Sequence, residues 1–272
     1  MFYLAATPIG NLSDLTLRVI DTLRDCDAVF CEDTRRTGML LAHLEIKKPL
    51  ISCHTHNEQA RAEQLVTMLC EGKSVVYVSD AGMPGISDPG ARLVEICIAR
   101  ELPFTVLPGA SAVLTAAVLS GLPAQPFTFF GFLPRDKKNR AQVLSAATQL
   151  SHLVLFYESP HRVRATLEEL HALLGDCPAA VLRELTKRFE TAHRGTLSSL
   201  ISIFETAPKG ECVIAVLPQP RKDAPNPDTL DERLSSLLET HSLKDAAALT
   251  AVEFNLPKKD VYARALTLKN EG

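Results

Sequence analysis

The sequence has no apolar run of the roughly 20 residues that a membrane-spanning helix needs, and its first residues resemble no signal peptide. It has no Cys-x-x-Cys pair, and its seven cysteines are an odd number. In a chain of 272 residues this favours reduced thiols over a disulfide framework. These absences predict a cytoplasmic protein with no membrane segment. A hydrophobic content of 46% against 22% charged residues predicts a folded core.

An excess of positive charge is also absent, because 29 Lys and Arg residues against 32 Asp and Glu residues give a formal net charge of −3. This argues against a protein that coats nucleic acid by bulk charge, although a local basic face is compatible with it. Several catalytic signatures are missing as well: GxGxxG after the first strand, GxxxxGK[ST], HExxH and GxSxG. Their absence weakens the Rossmann dehydrogenase, P-loop, zincin and α/β-hydrolase interpretations.

Short apolar runs alternate with amphipathic stretches in the first part of the chain, which is typical of an α/β domain with a mostly parallel sheet. The run Val75–Val78 is continuously apolar, as expected of a strand buried on both faces. The predicted strands are 2–7, 28–32, 50–54, 74–80 and 104–107. The predicted helices between them are 14–25, 35–44, 57–71, 89–100 and 110–120.

The alternation of predicted strands and helices is interrupted at GLPAQP, residues 121–126, which indicates a hinge. A second set of predicted strands and helices follows it. Its predicted strands lie near 127–132, 152–157, 178–182 and 211–217, and its helices near 137–148, 160–174 and 196–206. We therefore expect an N-terminal α/β domain over 1–121 and a C-terminal α/β domain over 122–217. A proline-rich linker over 218–228 is predicted next, followed by a helical tail over 229–272.

The tail is predicted to hold two helices, one opening at a capping box of Ser242 and Asp245 and one at Pro257. This pattern fits a helix-turn-helix, or a helical hairpin that packs on the body or on a partner subunit.

The loops after the first-domain strands hold the residues that could carry chemistry, because ligands bind such sheets at the carboxyl ends of their strands. Pro8 and Gly10 make a tight turn after the first strand. The loop DAGMPGISDPG, residues 80–90, supplies glycines whose backbone can approach a ligand, and carboxylates that suit a cation or hydroxyls better than a phosphate. Ser111 either bonds a ligand or caps a helix.

Other polar groups leave alternatives open. The segment after the second predicted strand has two interpretations: its residues Glu32, Asp33 and Arg35 form an ion pair, or they hold a hydroxyl and a phosphate of a ligand. Cys53, His54 and His56 could suggest a metal, but no further Cys/His pair lies near them and no metal is expected. His54 fits better as a polar contact or proton acceptor.

In the second half, residues of FYESPHR (156–162) and RELTKRFE (183–190) form either an ion-pair network or part of the site. The basic stretch over 135–140 is either a solvated loop or a phosphate contact.

Eight motifs in order resemble the tetrapyrrole-methylase superfamily and, within it, the ribosomal RNA small-subunit methyltransferase I family. They are TPIGNLSDLT (7–16), EDTRRTG (32–38), HTHNE (54–58), SDAGMPGISDPG (79–90), LPGASA (107–112), GFLPR (131–135), FYESPHR (156–162) and RELTKRFE (183–190). The sequence departs from the superfamily where Gly82-Met83-Pro84 replaces a frequent Gly-Asp-Pro, and LPGASA replaces LPGPxA.

This resemblance implies two α/β domains with S-adenosylmethionine (SAM) in the cleft between them, in a homodimer. It also implies methyl transfer to the ribose 2′-hydroxyl of a decoding-centre cytidine in 16S rRNA, within the small ribosomal subunit. The implied SAM contacts are Pro8, Gly10, Asp80, Gly82, Met83, Ile86, Asp88, Ser111, Ala112, Tyr157, Glu184 and Leu185.

A ribose hydroxyl is a weak nucleophile, so we expect a general base near it, and the candidates are Asp33, His54 and Glu184. The candidate RNA contacts are Arg35, Arg135, Lys137, Lys138, Arg140, Arg162 and Lys187. Two alternatives remain at this point: a SAM-dependent methylase acting on a small tetrapyrrole, and a non-catalytic assembly factor that binds SAM or RNA.

Overall fold

The computed structural model describes residues 1–219, 227–254 and 256–271. The chain divides into two compact units, Met1–Pro218 and Gln219–Gly272. The predicted linker over 218–228 lies largely outside the described residues.

The first sheet of the larger unit has five parallel strands in the order β3-β2-β4-β1-β5, which confirms the predicted parallel arrangement. Every residue of the central strand β4 is buried, as its continuous apolar sequence predicts. The strands are β1 (Phe2–Ala5), β2 (Ala28–Cys31), β3 (Leu50–Ser52), β4 (Val75–Val78) and β5 (Phe104–Leu107).

Five helices follow these strands, close to the predicted positions. The first begins later than predicted: Leu12–Asp14 forms a separate 3₁₀ turn, and Thr16 caps the helix by accepting a hydrogen bond from the Val19 N–H. The helices are α1 (Leu17–Asp25), α2 (Thr34–His43), α3 (Glu58–Cys70), α4 (Ala91–Ala99) and α5 (Ala112–Leu119).

The second sheet is mixed, with strand order β6-β7-β10-β8-β9. Strand β10 runs antiparallel to both β7 and β8, whereas β6 and β7 are parallel. The strands are β6 (Phe127–Phe132), β7 (Leu153–Glu158), β8 (Pro178–Arg183), β9 (Thr191–Thr196) and β10 (Cys212–Val216). Its helices are α6 (Lys137–Ala147), α7 (Val163–Leu174) and α8 (Leu197–Ile203).

Strand β9 is absent from the elements predicted by the sequence. Its residues, TAHRGT, contain no apolar run, and none of them is fully buried because β9 is an edge strand. It pairs with β8 through six residues of antiparallel register.

Helix α5 belongs by sequence to the first half but packs on the second sheet. Its buried residues Val113, Ala116 and Ala117 share a hydrophobic cluster with residues of β7, β8 and β10. Arg194 on β9 donates hydrogen bonds to the carbonyl oxygens of Leu119 and Ser120 at the end of the helix. Helix α5 therefore ties the first half to the second sheet by packing as well as by the chain connection.

The smaller unit holds three helices in its described residues, α9 (Pro227–Leu238), α10 (Leu243–Glu253) and α11 (Lys258–Glu271). The sequence predicts the last two but not α9. The Ser242 hydroxyl accepts from the Asp245 N–H and donates to its carboxylate, as the capping box predicts. The helices enclose a core of their own that includes Leu234, Ala247 and Val261. No described helix in either unit is long and apolar enough to cross a membrane.

Candidate active site

A cleft of about 410 Å³ opens where the carboxyl ends of β2 and β4 face the second sheet. This volume lies within the range of about 300–1,000 Å³ that is usual for small-molecule sites. The first half contributes loops after β1, β2, β4 and β5, and the second half contributes the ends of β7 and β10 and the loop after β8. Its lining includes Ile9, Glu32, Arg36, Asp80, Gly82, Met83, Ile86, Asp88, Ser111, Ala112, Phe132, Tyr157, Leu185 and Glu211.

The floor of the cleft is fixed by a bridge between the loops after β1 and β4. The N–H of Thr7 donates to the Gly82 carbonyl at 2.9 Å, and the Gly82 N–H donates to the Thr7 carbonyl at 3.0 Å. Gly82 adopts a φ of +80°, which favours glycine. The sequence predicts that its backbone faces a ligand. Both backbone groups also pair with Thr7, and this bridge fixes the position of Gly82 in the cleft lining.

Nine of the twelve residues predicted to contact SAM line this cleft: Asp80, Gly82, Met83, Ile86, Asp88, Ser111, Ala112, Tyr157 and Leu185. They come from segments up to about one hundred residues apart in sequence. Tyr157 packs edge-on against Phe129 and Phe132, which fixes its ring at the wall. Pro8 lines a smaller adjoining cavity of about 230 Å³, which shares Arg36 and Asp80 with the cleft.

Gly10, another predicted SAM contact, lies where the two halves touch. A Cβ atom on Gly10 would overlap the side chain of Lys187 and come within 3.1 Å of the Leu185 carbonyl oxygen. Glycine is therefore required by the close approach of the β1 loop to the loop after β8.

Three carboxylates, Glu32, Asp80 and Asp88, line one side of the cleft. Asp80 is compensated, since Arg36 lies 3.2 Å away and the Asp33 N–H donates to it at 3.1 Å. Burial, followed by the charge of Asp80, raises the pKa of Glu32. Burial, then the charges of Glu32 and Asp80, raises the pKa of Asp88 to about 6. From the sequence, Glu32 has two alternatives, an ion pair or contact with a hydroxyl or phosphate, and it is not among the predicted SAM contacts or the candidate bases; its position after β2 places it at this edge.

Two of the predicted bases are held in ion pairs and do not line the cleft. Asp33 accepts from the Arg35 guanidinium at 2.7 Å and from its N–H at 2.8 Å, and these bonds hold the pKa of Asp33 well below its usual range. Glu184 accepts from Lys187 Nζ at 2.9 Å and from the Glu211 N–H at 3.1 Å. These bonds, the one from Lys187 first, lower its pKa.

His54 follows β3 and lies beside the cleft without lining it. Its N–H donates to Asn57 Oδ1 at 2.8 Å, and its buried Nδ1 has no hydrogen-bond partner among the described residues. Its ring contacts that of His56, with centroids 5.9 Å apart. No group of three or more His, Cys, Asp or Glu side chains suited to a metal ion occurs in the described part of the chain.

The predicted RNA contacts fall into two groups. Arg35, Arg135, Lys137 and Lys138 are exposed, and of these Arg35 is also paired with Asp33. Arg140, Arg162 and Lys187 are committed to ion pairs within the chain, which their assignment to RNA does not anticipate. Arg140 and Arg162 both pair with the buried Glu158, so their placement favours a structural role.

The residues of the cleft suit a cationic ligand with apolar parts. No ion pair with a cationic side chain compensates Glu32 or Asp88 among the residues that the structure describes, while Ile9, Met83 and Leu185 supply apolar walls. A sulfonium compound such as SAM combines these properties, so the donor set fits it.

Comparisons with known proteins agree with this geometry. Residues 1–201 match the family model for tetrapyrrole (corrin/porphyrin) methylases, and residues 223–269 match the model for the RsmI C-terminal HTH domain. Among solved structures, a diphthine synthase superposes with a TM-score of 0.61 at 17% identity, covering 80% of this chain and 90% of the other. A uroporphyrin-III C-methyltransferase from Thermus thermophilus gives 0.56 at 19% identity, covering 79% and 93%. Both support the fold.

Curated relatives match nearly the whole chain. A ribosomal RNA small subunit methyltransferase I from Synechocystis sp. is 40% identical over 100% of this chain and 99% of the relative. The proteins of that name from Halalkalibacterium halodurans and Bacillus subtilis are 41% and 40% identical, each over 96% of this chain and 92% of its own length. The chain therefore belongs to the tetrapyrrole methylases and, among them, to the ribosomal RNA small subunit methyltransferase I family.

Proposed function

We propose that this protein transfers a methyl group from SAM to the ribose 2′-hydroxyl of a decoding-centre cytidine in 16S rRNA. The observation that carries the proposal is the similarity to small-subunit rRNA methyltransferases over the whole chain, including the C-terminal module. In this proposal the enzyme acts as a homodimer in the cytoplasm, on the assembled or assembling small subunit.

The cleft is the proposed binding site of SAM, which when bound supplies an electrophilic methyl group on a positively charged sulfur. The acidic side of the cleft would favour that cation, and the apolar residues opposite would exclude water from it. The proposed contacts are the nine cleft-lining residues, with Pro8, Gly10 and Glu184 shaping the adjoining loops. Alignment by a preformed site lowers the barrier of an in-line displacement by reducing the entropic cost of reaching it.

The proposed RNA surface uses the exposed cations near the cleft. Lys137 and Lys138 open α6, directly after the strand that brings Phe132 to the cleft. Their side chains are exposed, so they can reach phosphates without breaking an internal pair. Such contacts position the substrate and carry no sequence information.

The direct test incubates the protein with methyl-labelled SAM and small ribosomal subunits from cells that lack this methylation. Label in 16S rRNA, mapped by mass spectrometry to the ribose of one cytidine, is the expected result. Label that appears only with a porphyrin-type acceptor would replace the proposal with a small-molecule methylase. SAM or RNA binding without any label would indicate an assembly factor.

A pair of charge-reversal variants tests the RNA surface. Lys137→Glu with Lys138→Glu should raise the KM for subunits about tenfold or more and reduce its salt dependence, while SAM affinity stays unchanged. The matched control is Lys47→Glu with Lys48→Glu, two adjacent lysines at the opposite edge of the first sheet, before β3. Equal effects of the two pairs would reject a specific role for the first.

A further inference from the structure

Glu32 follows β2 directly and reaches the cleft from the centre of the first sheet. Its neighbour in sequence, Asp33, turns away to cap α2. The chain thus places two consecutive acids in opposite environments. Asp33 lies in a solvent-exposed ion pair, whereas the Glu32 carboxylate is partly buried at the cleft wall.

The charges around Glu32 leave its carboxylate undercompensated. Its hydrogen-bond donor is the backbone N–H of Asp80, and its repulsion by the Asp80 carboxylate exceeds its attraction to Arg36 or to His54 taken singly. Arg36 is itself paired with Asp80 at 3.2 Å. Titratable or charged groups face this corner from both halves of the larger unit. They are Arg36 from α2, His54 from the loop after β3, Glu58 from α3, Tyr77 from β4, Asp80 and Asp88 from the loop after β4, and Tyr157, Glu158 and Glu211 from the second half.

Asp88 is the second uncompensated acid at this corner. It lines the same cleft, and the described residues give its side chain no hydrogen-bond donor. The fully buried Tyr77 hydroxyl lies nearby and is itself without a hydrogen-bond partner among the described residues. A cleft wall that leaves the Asp88 carboxylate without a hydrogen-bond donor is costly for folding alone, which indicates that a ligand or substrate completes it.

The other acids near the cleft already have partners. Asp80 is held by Arg36, Asp33 by Arg35, and Glu184 by Lys187. A carboxylate in such a pair is a weaker base, because its charged form is stabilised before any proton arrives.

We propose that Glu32 accepts the proton from the hydroxyl that is methylated, and that Asp88 beside it shares this proton. The inference rests on the proposed function. In the step, the hydroxyl O–H bond breaks and its proton passes to a Glu32 carboxylate oxygen. The hydroxyl oxygen forms a bond to the methyl carbon, and the C–S bond breaks with its electron pair left on sulfur. The products are the methyl ether, neutral S-adenosylhomocysteine and protonated Glu32.

The geometry explains why two acids serve better than one. When two carboxylates lie close together in a partly buried wall, their mutual repulsion raises the affinity of the pair for one proton above that of two isolated carboxylates. Burial and the charge of Glu32 raise the pKa of Asp88 to about 6, so the corner can store a proton near neutral pH and release it to water after product leaves.

The first test measures single-turnover methylation of small subunits by Glu32→Gln, which keeps the shape of the side chain and removes the base. We expect a loss of about 10²–10⁴-fold in rate at saturating SAM. SAM affinity, measured by calorimetry, should fall far less than the rate, because Asp80 and Asp88 keep the acidic side of the cleft. Glu95→Gln, an isosteric change in an exposed ion pair on α4, is the control for folding and assay. A rate for Glu32→Gln within tenfold of the parent, or an equal loss in Asp33→Asn, would overturn the inference.

The second test needs neither SAM nor RNA. Titration of ¹³C-labelled carboxyl groups by NMR should show the pKa of Asp88 falling in Glu32→Gln, because the charge of Glu32 is one cause of its elevation. The same spectrum shows whether the variant is folded. An Asp88 titration that is identical in the parent and in Glu32→Gln would remove the coupling on which proton sharing depends.

The two failures are distinguishable. If the parent protein places no label on RNA, the proposed function fails whatever the titration shows. If the parent labels RNA and Glu32→Gln does so equally well, the function stands and the role of Glu32 is rejected.

Discussion

Replacing Glu158 should destabilise the protein far more than its place in a functional motif suggests. Its side chain is 1% exposed. The carboxylate accepts from the Ser159 N–H at 2.8 Å and from the Thr166 hydroxyl at 2.7 Å, and it lies 3.2 Å from Arg162 and 3.7 Å from Arg140. Arg140 is itself only 12% exposed.

The expected magnitude follows from what each substitution leaves behind. Glu158→Ala removes the charge and leaves the buried Thr166 hydroxyl and the partly buried Ser159 N–H without their acceptor. It also removes a counter-charge from Arg162 and from Arg140, which keeps Glu169, so we expect a cost of about 3–5 kcal/mol. Glu158→Gln keeps a hydrogen-bonding oxygen but loses the charge, so we expect about 1–3 kcal/mol. For a unit of this size, about 2–4 °C of melting temperature corresponds to each kcal/mol, so the alanine variant should melt about 6–20 °C lower.

Thermal and urea unfolding, followed by circular dichroism, measure these costs. The matched control is Glu168→Ala, which breaks an exposed i,i+4 pair with Arg164 on α7 and should cost about 0.3–0.5 kcal/mol. If Glu158→Ala proved as mild as Glu168→Ala, the network would be dispensable. Arg140 and Arg162 would then again be candidates for contact with phosphate.

Three further outcomes are expected. The pKa of Asp88 is raised from 3.8 to about 6, so the folded state binds this proton more tightly than the unfolded state does. The free energy of unfolding therefore falls as pH rises through this interval. In Asp88→Asn the melting temperature should vary less between pH 4 and 6, and it should be higher than that of the parent at pH 7. Gly10→Ala should lower the free energy of unfolding in urea by about 1–3 kcal/mol, because the added Cβ overlaps Lys187. The control is Gly38→Ala within α2, where a Cβ lies at an ordinary 3.6 Å from Leu50; this change should stabilise the protein by about 0.4–1 kcal/mol. Of the seven free thiols only Cys70 is exposed, so a thiol reagent should titrate about one group rapidly in the native protein and seven after denaturation; fast reaction of several thiols would contradict the packing.

The parallel sheet is predictable from the sequence because its strands are strongly marked. Val75–Val78 is apolar and β-branched or aromatic throughout, and the structure buries all four residues. The rule that ligands lie at the carboxyl ends of parallel strands also predicts that Asp80 and Asp88 belong to a binding site, and both line the cleft.

What the sequence does not reveal depends on contacts between distant segments. Strand β9 is held by pairing with β8 rather than by its own apolar pattern. Whether Arg140 is free or buried depends on Glu158, which lies on a different element. Glu32 and Asp33 are adjacent acids, and of the two only Asp33 is predicted from the sequence as a candidate base; the direction of the chain after β2 instead brings Glu32 to the cleft.

The placement of α5 bears on how the larger unit can come apart. A cut in the exposed turn at Gly121 would divide the chain at the boundary suggested by its sequence. Val113, Ala116 and Ala117 would then belong to the N-terminal piece, although they pack on the sheet of the C-terminal piece. An isolated fragment 1–121 would display an apolar helix face, and the remainder would display a bare sheet. The two pieces should therefore stay together after proteolytic nicking and melt in a single cooperative transition, as halves of one folding unit.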